Sequence, residues 1–488
     1  MAPTLQSVAT VLGLLLPYWT VHALPTSRAN SACCDAFRNQ FQAVQLDLVT
    51  PGAYFSAQES DLSPSCRVNP TTAEEVSQIL STTTQLGCKF AVRSGGHMPW
   101  GGSANIDEPG VTIDLGFLNT TTLSEDKQVA HVGPGSRWGP VYDTLSPDGL
   151  VVVGGRSEHV GVGGYLLGGG ISFFSPRFGF ASDNVAGYQI ALANGTIVEA
   201  NSQENPDLFW AMRLGSTNFG IVTRYDLKTT AATKMWGGIR SYNRSHALDA
   251  AQALLDFDKK SGELGLDSAG LDIGSSDEFF MNFDRVEPNI NDTDVYDSLL
   301  SIPFTSDTTR SDVTLKNILQ EIDALFPIGL HASFRTLAFT SDAQFMIDWW
   351  QEGLKIFAPY EGNSDLSWTF AFTPVPASLL QAAEQANDPQ GVSANNGSVM
   401  LTNLNAFWQD NLDEDDIQSK LAELIGWGQT EAQQRGLLNK WVYLNYASPD
   451  QKPYESIPEA NLQRLRDVRQ NVDPDSVLQN LWPGGFKI

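Results

Sequence analysis

The chain is poor in cations: 30 Lys and Arg stand against 56 Asp and Glu in 488 residues, a formal net charge of −26. Such a field repels phosphate backbones and anionic lipid, so no nucleic-acid or membrane partner is expected. Cysteine is scarce as well, with four residues, Cys33, Cys34, Cys66 and Cys88, all in the first fifth of the chain. They form no CxxC pair and no histidine lies among them, which argues against a zinc site. The six histidines include no His-x-x-x-His pair, and neither a GxSxG elbow nor a GxxxxGK[ST] loop occurs. Metal sites, α/β-hydrolase chemistry and P-loop phosphate binding are therefore not expected. Beyond the first two dozen residues, no apolar run approaches the ~20 needed to span a bilayer.

What the chain does have points to export. An apolar stretch from Val8 to Trp19 precedes Val21-His22-Ala23, a small-residue pattern suited to cleavage after Ala23. The reading is a signal peptide over 1–23; a membrane anchor is the competing reading, and the run is short for it. An even number of cysteines fits two disulfides in an oxidising compartment. A bridge between adjacent Cys33 and Cys34 would be strained, so each is expected to pair with Cys66 or Cys88. Sequons at Asn119, Asn194, Asn243, Asn291 and Asn396 predict N-glycans at some of these positions on a secreted protein. Asn194 lies in a tight turn that would crowd it. A hydrophobic content of 42% with 18% charged residues is that of a folded globular protein, and the length allows two or three domains.

Strand and helix signals are mixed as far as residue 228. PTTAEEVSQILSTTTQLGCKFAV reads as a capped helix followed by a strand, and YQIALANGTIVEA as two strands about a turn. After Ala231 the texture changes to helices such as SHALDAAQALLDFDKK and DAQFMIDWWQEGLKIF between apolar strands such as WTFAFTPVP. The tail reads as a strand, WVYLNYA, then a helix, EANLQRLRDVRQNV, returning toward an earlier domain.

Four glycine clusters fall within 130 residues: GGHMPWGG, GPGSRWG, GVGGYLLGGG and LGSTNFG. Glycine lets backbone N–H groups approach a ligand closely, and several such segments can surround one long anionic ligand. GVGGYLLG lacks the third glycine of the dinucleotide fingerprint, so a Rossmann reading is weak. Turns and sheet bulges are the bland alternative. His97, in the first cluster, can serve as base, ligand or covalent attachment point, or can simply stabilise a turn.

RSGGH at 93–97, VTIDLGFLN, VGPGSRWGPVYDTL, VGVGGYLLGGG, NPDLFWAMR with NFGIVT, and YLNYA with DPDSVL together resemble the FAD-linked oxidases of the vanillyl-alcohol-oxidase type, with a PCMH-type FAD-binding domain, in the berberine-bridge-enzyme-like group and its fungal secreted branch. The resemblance covers about 60–228 and 440–480. It implies an α+β fold: a two-subdomain FAD-binding domain over 62–232 after a disulfide-clamped segment at 24–61, then a substrate domain over 233–430 with an antiparallel sheet covered by helices. A C-terminal segment over 431–488 would return to the FAD domain.

The resemblance also implies site residues. His97 matches the histidine bonded to the flavin, and Arg93, Ser94, Gly95 and Gly96 match the turn around the pyrophosphate. Gly133 and Gly135 belong to the cofactor-binding set. Val160, Gly163, Gly164, Gly168 and Gly169 match the second cofactor segment, and Gly220, Ile221 and Val222 the adenine or ribose edge. Ser157 stands where doubly linked members carry cysteine, so a single covalent link through His97 is implied. Tyr443 and Asn445 match the Y-x-N element near the flavin ring, Tyr443 as candidate base and Asn445 as cofactor contact. His159 is a second candidate base, and Trp100 a candidate stacking partner for flavin or adenine; a core tyrosine, a hydrogen-bonded histidine and a space-filling tryptophan are the alternatives. The implied reaction is dehydrogenation of a small alcohol, amine or secondary-metabolite precursor, with O2 reoxidising FAD to give H2O2. A redox-silent flavin cyclase (pericyclase) and an oligosaccharide oxidase are the alternatives, and a monomer is expected.

Overall fold

The computed structural model describes residues 32–47, 54–262 and 265–488. The signal-peptide reading lies outside the described residues. Helix Ala73–Leu86 starts where the Thr72 hydroxyl accepts from the Glu75 N–H, and ends at Gly87 with φ +66°, a left-handed conformation that glycine takes at least cost. Its buried stripe, Val76, Ile79, Leu80 and Thr83, recurs at helical spacing and packs over a small parallel sheet. That sheet orders Cys66–Val68, Val111–Asp114 and Phe90–Arg93 side by side. Two disulfides, Cys33–Cys88 and Cys34–Cys66, tie helix Ala32–Gln40 to it, as the strain argument expected.

A second, antiparallel sheet centres on Ile221–Ala231, flanked by Val129–Val132 and Val185–Ala191. The strands read from YQIALANGTIVEA are Val185–Ala191 and Ile197–Asn201. Asn194 is exposed, because the turn between them projects its tip into solvent; Asn119, Asn243 and Asn291 are exposed too.

The third sheet has nine strands and joins Met235–Asn243, Glu278–Arg285, Asp267–Gly274, Leu366–Val375, Val399–Trp408 and His331–Phe339 in that spatial order, with short strands at its margins. Helices Ala247–Ser261, Ala343–Ile356 and Glu414–Gln434 pack on one face, burying Trp349 and Trp408 completely. Alternation along each strand divides the residues between two faces. In Val399–Trp408, Met400, Leu404, Ala406 and Trp408 join the helix-side core, while Asn403 and Asn405 face a cavity. Ten buried residues in a row therefore conceal two different environments.

One expected strand is absent. Residues 441–443 have no ladder, and Leu444–Tyr446 form a 3-10 turn. The Asn439 side chain accepts from the Trp441 N–H, and the Ser456 hydroxyl from the Val442 N–H. Side chains thus take the donors that a neighbouring strand would have used. Helix Glu459–Val472 then packs on helix Pro206–Met212, and the C-terminus reaches the second sheet's core through Phe486.

Candidate active site

The three glycine-rich segments preceding residue 171 meet. Gly95 and Gly161 lie back to back, so close that a Cβ on either would strike the other's backbone. The Ser94 hydroxyl donates to the Pro134 carbonyl, and Gly163 packs against Ser94. Arg137 locks this junction: it donates to the carbonyls of Gly95 and His159, both at 2.8 Å. The segments form one wall of a cavity of about 370 Å³ whose opposite wall is the open face of the nine-stranded sheet.

His97 sits in that wall, half-buried. Phe55 stacks on its imidazole, with ring centres 4.0 Å apart and planes 19° from parallel, and donates its backbone N–H to the Gly96 carbonyl at 2.8 Å. Phe55 meets Phe334 and Phe407 of the nine-stranded sheet edge-on, which fixes it from behind. Burial, and secondarily the Arg137 guanidinium, push the imidazole pKa down to about 3. The ring is therefore neutral at ordinary pH and keeps a nucleophilic lone pair.

Several residues singled out in the sequence line this cavity: Ser94, Gly95, Gly96, Val160, Gly163, Gly164, Gly220, Ile221 and Val222. Others stand behind the lining. The Arg93 guanidinium pairs with Asp114 at 2.7 Å, since burial of a charge demands a partner. Gly133 and Gly135 press on the carbonyls of Leu118 and Leu115, Gly168 on Asn445 and Gly169 on Gln390, so these glycines serve close packing. Trp100 meets Phe486 edge-on at 5.8 Å and is not among the lining residues.

Tyr443 lines the same cavity and is 1% exposed. Its hydroxyl accepts from Asn445 Nδ2 at 3.2 Å, and that amide also donates to the Tyr165 carbonyl at 3.0 Å. Burial raises the Tyr443 pKa far above its ordinary value, so the resting side chain is a neutral phenol. His159 is exposed at the rim, where its backbone N–H donates to Ser157 Oγ at 3.2 Å. No thiol occupies the Ser157 position.

The wall also holds residues that sequence reasoning missed. Arg156, five residues before Gly161, donates to the Tyr446 hydroxyl at 2.9 Å. Asp272, Asn403 and Asn405 reach the cavity from the sheet, and Trp482 and Phe486 from the C-terminus. Arg137 lies inside the quoted cluster GPGSRWG and Arg156 directly follows Gly154-Gly155, and polar residues at alternate positions of the apolar run VMLTNLNAFW were a signal for Asn403 and Asn405.

These donors and acceptors fit a long, partly polar cofactor. Tyr165 Oη, Asn403 Oδ1, Asn405 Nδ2 and Trp482 Nε1 are buried without a protein hydrogen-bond partner, and all four residues line the cavity. Gly164 presents open backbone, with no heavy atom within 4 Å of where a Cβ would stand. Among the described residues no His, Cys, Asp and Glu cluster could hold a metal ion, and no helix is long and apolar enough to cross a membrane.

Comparison with known proteins agrees with this geometry. Residues 64–201 match the FAD binding domain family. An FAD-dependent monooxygenase of Cochliobolus heterostrophus is 32% identical over 461 residues, covering 89% of this chain and 87% of the relative. Among solved structures, 6-hydroxy-D-nicotine oxidase of Arthrobacter nicotinovorans superposes with a TM-score of 0.76 at 20% identity, covering 88% of this chain and 94% of that one. Glucooligosaccharide oxidase of Acremonium strictum, described with a 6-S-cysteinyl, 8α-N1-histidyl FAD, gives a TM-score of 0.68 at 17% identity, covering 88% and 92%. The chain belongs to the FAD-dependent oxidoreductases that carry this FAD binding domain, with fungal FAD-dependent monooxygenases as relatives, and it shares its fold with a berberine-bridge-enzyme-like protein of Physcomitrella patens.

Proposed function

We propose that this enzyme is a secreted oxidase that dehydrogenates a small organic substrate, an alcohol, amine or secondary-metabolite precursor, on FAD bonded covalently through His97. The observation that carries the reading is the His97 imidazole itself: neutral, stacked on Phe55, and set in the cavity wall where the glycine segments converge. Bound FAD supplies hydride acceptance and passes the electrons to O2, giving H2O2; the protein supplies position and proton handling.

The residues divide along the cavity. Ser94 to Gly96, Val160 to Gly164 and Gly220 to Val222 offer backbone to the cofactor, and Arg137 holds the first two segments in register. Phe55 keeps the imidazole of His97 in one plane. Asn445 holds Tyr443 and Tyr165 together beside the cavity. A serine at 157 supports a single link, in contrast to the cysteinyl bond named for the Acremonium enzyme. Two disulfides and the four exposed sequon asparagines fit the secretory pathway.

The relatives' naming as monooxygenases favours a second reading, in which one atom of O2 enters the product. Turnover of a candidate substrate under 18O2 separates the two. The oxidase reading predicts peroxide equimolar with product and no label in the product, and the monooxygenase reading predicts labelled product.

A further inference from the structure

Asp272 is the least explained charge in the cavity. It lies on strand Asp267–Gly274, is 7% exposed, lines the cavity and accepts no protein hydrogen bond. Buried carboxylates ordinarily have partners, and a neighbouring one shows the contrast: Asp284 accepts from Asn282 at 2.7 Å and stays out of the lining.

The register shows what surrounds it. Phe280, Asp272, Ala371 and Asn403 stand opposite one another on four adjacent strands, so they form a row across the sheet facing the cavity. Ala371 makes a notch in this row, with Asp272 on one side and Asn403 on the other, roughly 10 Å apart at two strand spacings. From the glycine wall Arg156 projects into the same space, coupled electrostatically to Asp272 and hydrogen-bonded only to Tyr446. Asp284 on the neighbouring strand also lies in the field of that guanidinium, Asp323 lines the cavity and accepts from the Glu158 N–H, and Tyr165, Tyr443 and Tyr446 are phenols grouped around Arg156.

We propose that Asp272 is the proton acceptor for a substrate hydroxyl seated in the Ala371 notch, and that Arg156 holds the oxygen left behind. In this step the substrate O–H bond breaks and its proton forms an O–H bond on the Asp272 carboxylate. The electron pair stays on the substrate oxygen against the guanidinium, the net charge of the site is unchanged, and nothing is oxidised or reduced. Burial pushes the Asp272 carboxyl up to about 7, with Arg156 pulling it down, which suits a base working near neutrality. The substrate class is thereby narrowed from alcohols and amines to compounds carrying an ionisable hydroxyl. The inference rests on the flavin-oxidoreductase reading above but is tested apart from it.

The probe is 3-nitrophenol, whose absorbance distinguishes phenol from phenolate, titrated into the flavin-loaded protein at a pH above the ionisation of the Asp272 carboxyl and below the phenol's own, so that the acceptor is ionised and the free probe is not. The expected result is a phenolate difference spectrum with no net proton release, measured calorimetrically in two buffers of different ionisation enthalpy. Asp272→Asn should instead release one proton to the buffer for each phenolate bound. Arg156→Met should bind at least tenfold more weakly and without the phenolate band, and Arg156→Lys should recover part of it. Flavin content of each sample, read from its visible spectrum, monitors the underlying reading independently. A probe bound to flavin-loaded wild-type protein as neutral phenol, or phenolate binding unchanged in Arg156→Met, would overturn the proposal while leaving the flavin assignment standing.

Discussion

At the scale of single residues, Glu59 gives a test independent of the active site. It is fully buried, its Oε1 accepts the backbone N–H groups of Ser103 and Ala104, and its Oε2 has no partner. Burial, opposed by those backbone donors, raises its pKa from 4.5 to about 7. The folded state therefore holds this proton between pH 4.5 and 7 while the unfolded chain has released it. Its contribution to stability is present in full below pH 4.5 and is lost as pH rises through 7. Glu59→Gln keeps an acceptor for both N–H groups, so thermal unfolding from pH 4.5 to 7.5 should show a shallower decline than wild type. Identical pH profiles would contradict the assignment. His97 shows what sequence could and could not supply at this scale. Its position among glycines was legible, but its plane is fixed by Phe55, 42 residues earlier, and its charge state by burial and secondarily by Arg137. Neither effect is visible to local pattern.

At the scale of elements, the contact between the glycine segments at Gly95 and Gly161 carries the cavity wall. Gly161→Ala places a methyl group against the backbone of Gly95, and neither chain can yield without moving His97 or Val160. The expected outcome is protein that retains the nine-stranded sheet but has lost flavin, read as normal far-ultraviolet circular dichroism with little visible absorbance. The disulfides make a different prediction. Cys34–Cys66 closes a loop with a sequence separation of 32, for which chain entropy gives about 4 kcal/mol. Cys34→Ser combined with Cys66→Ser should therefore lower stability by about 2–5 kcal/mol in denaturant unfolding. Helix Ala73–Leu86 and strand Leu366–Val375 were readable because periodicity, caps and β-branched runs agreed. The stretch WVYLNYA was misread as a strand for the opposite reason. Its apolar pattern suits a strand, yet Asn439 and Ser456 take its backbone donors, and the distant Ser456 leaves no local trace.

At the scale of the whole molecule, the cavity exists because two differently built halves each lend one face. The glycine segments lend backbone and the nine-stranded sheet lends side chains, with its other face spent on the helices that bury Trp349 and Trp408. The glycine half was legible in the sequence, since its chemistry lies in contiguous motifs. The sheet half was not, because Asp272, Ala371 and Asn403 are neighbours only through strand pairing. Even so, the whole account turns on whether His97 holds the cofactor. Trypsin should release it within the peptide 94–127, which contains no cysteine. Mass spectrometry of that peptide from freshly isolated, yellow, active protein, after enzymatic removal of any glycan at Asn119, should find it heavier by one FAD, with fragment ions placing the addition on His97, and the adduct should be absent in His97→Ala. An unmodified 94–127 peptide from the same active protein would contradict the account.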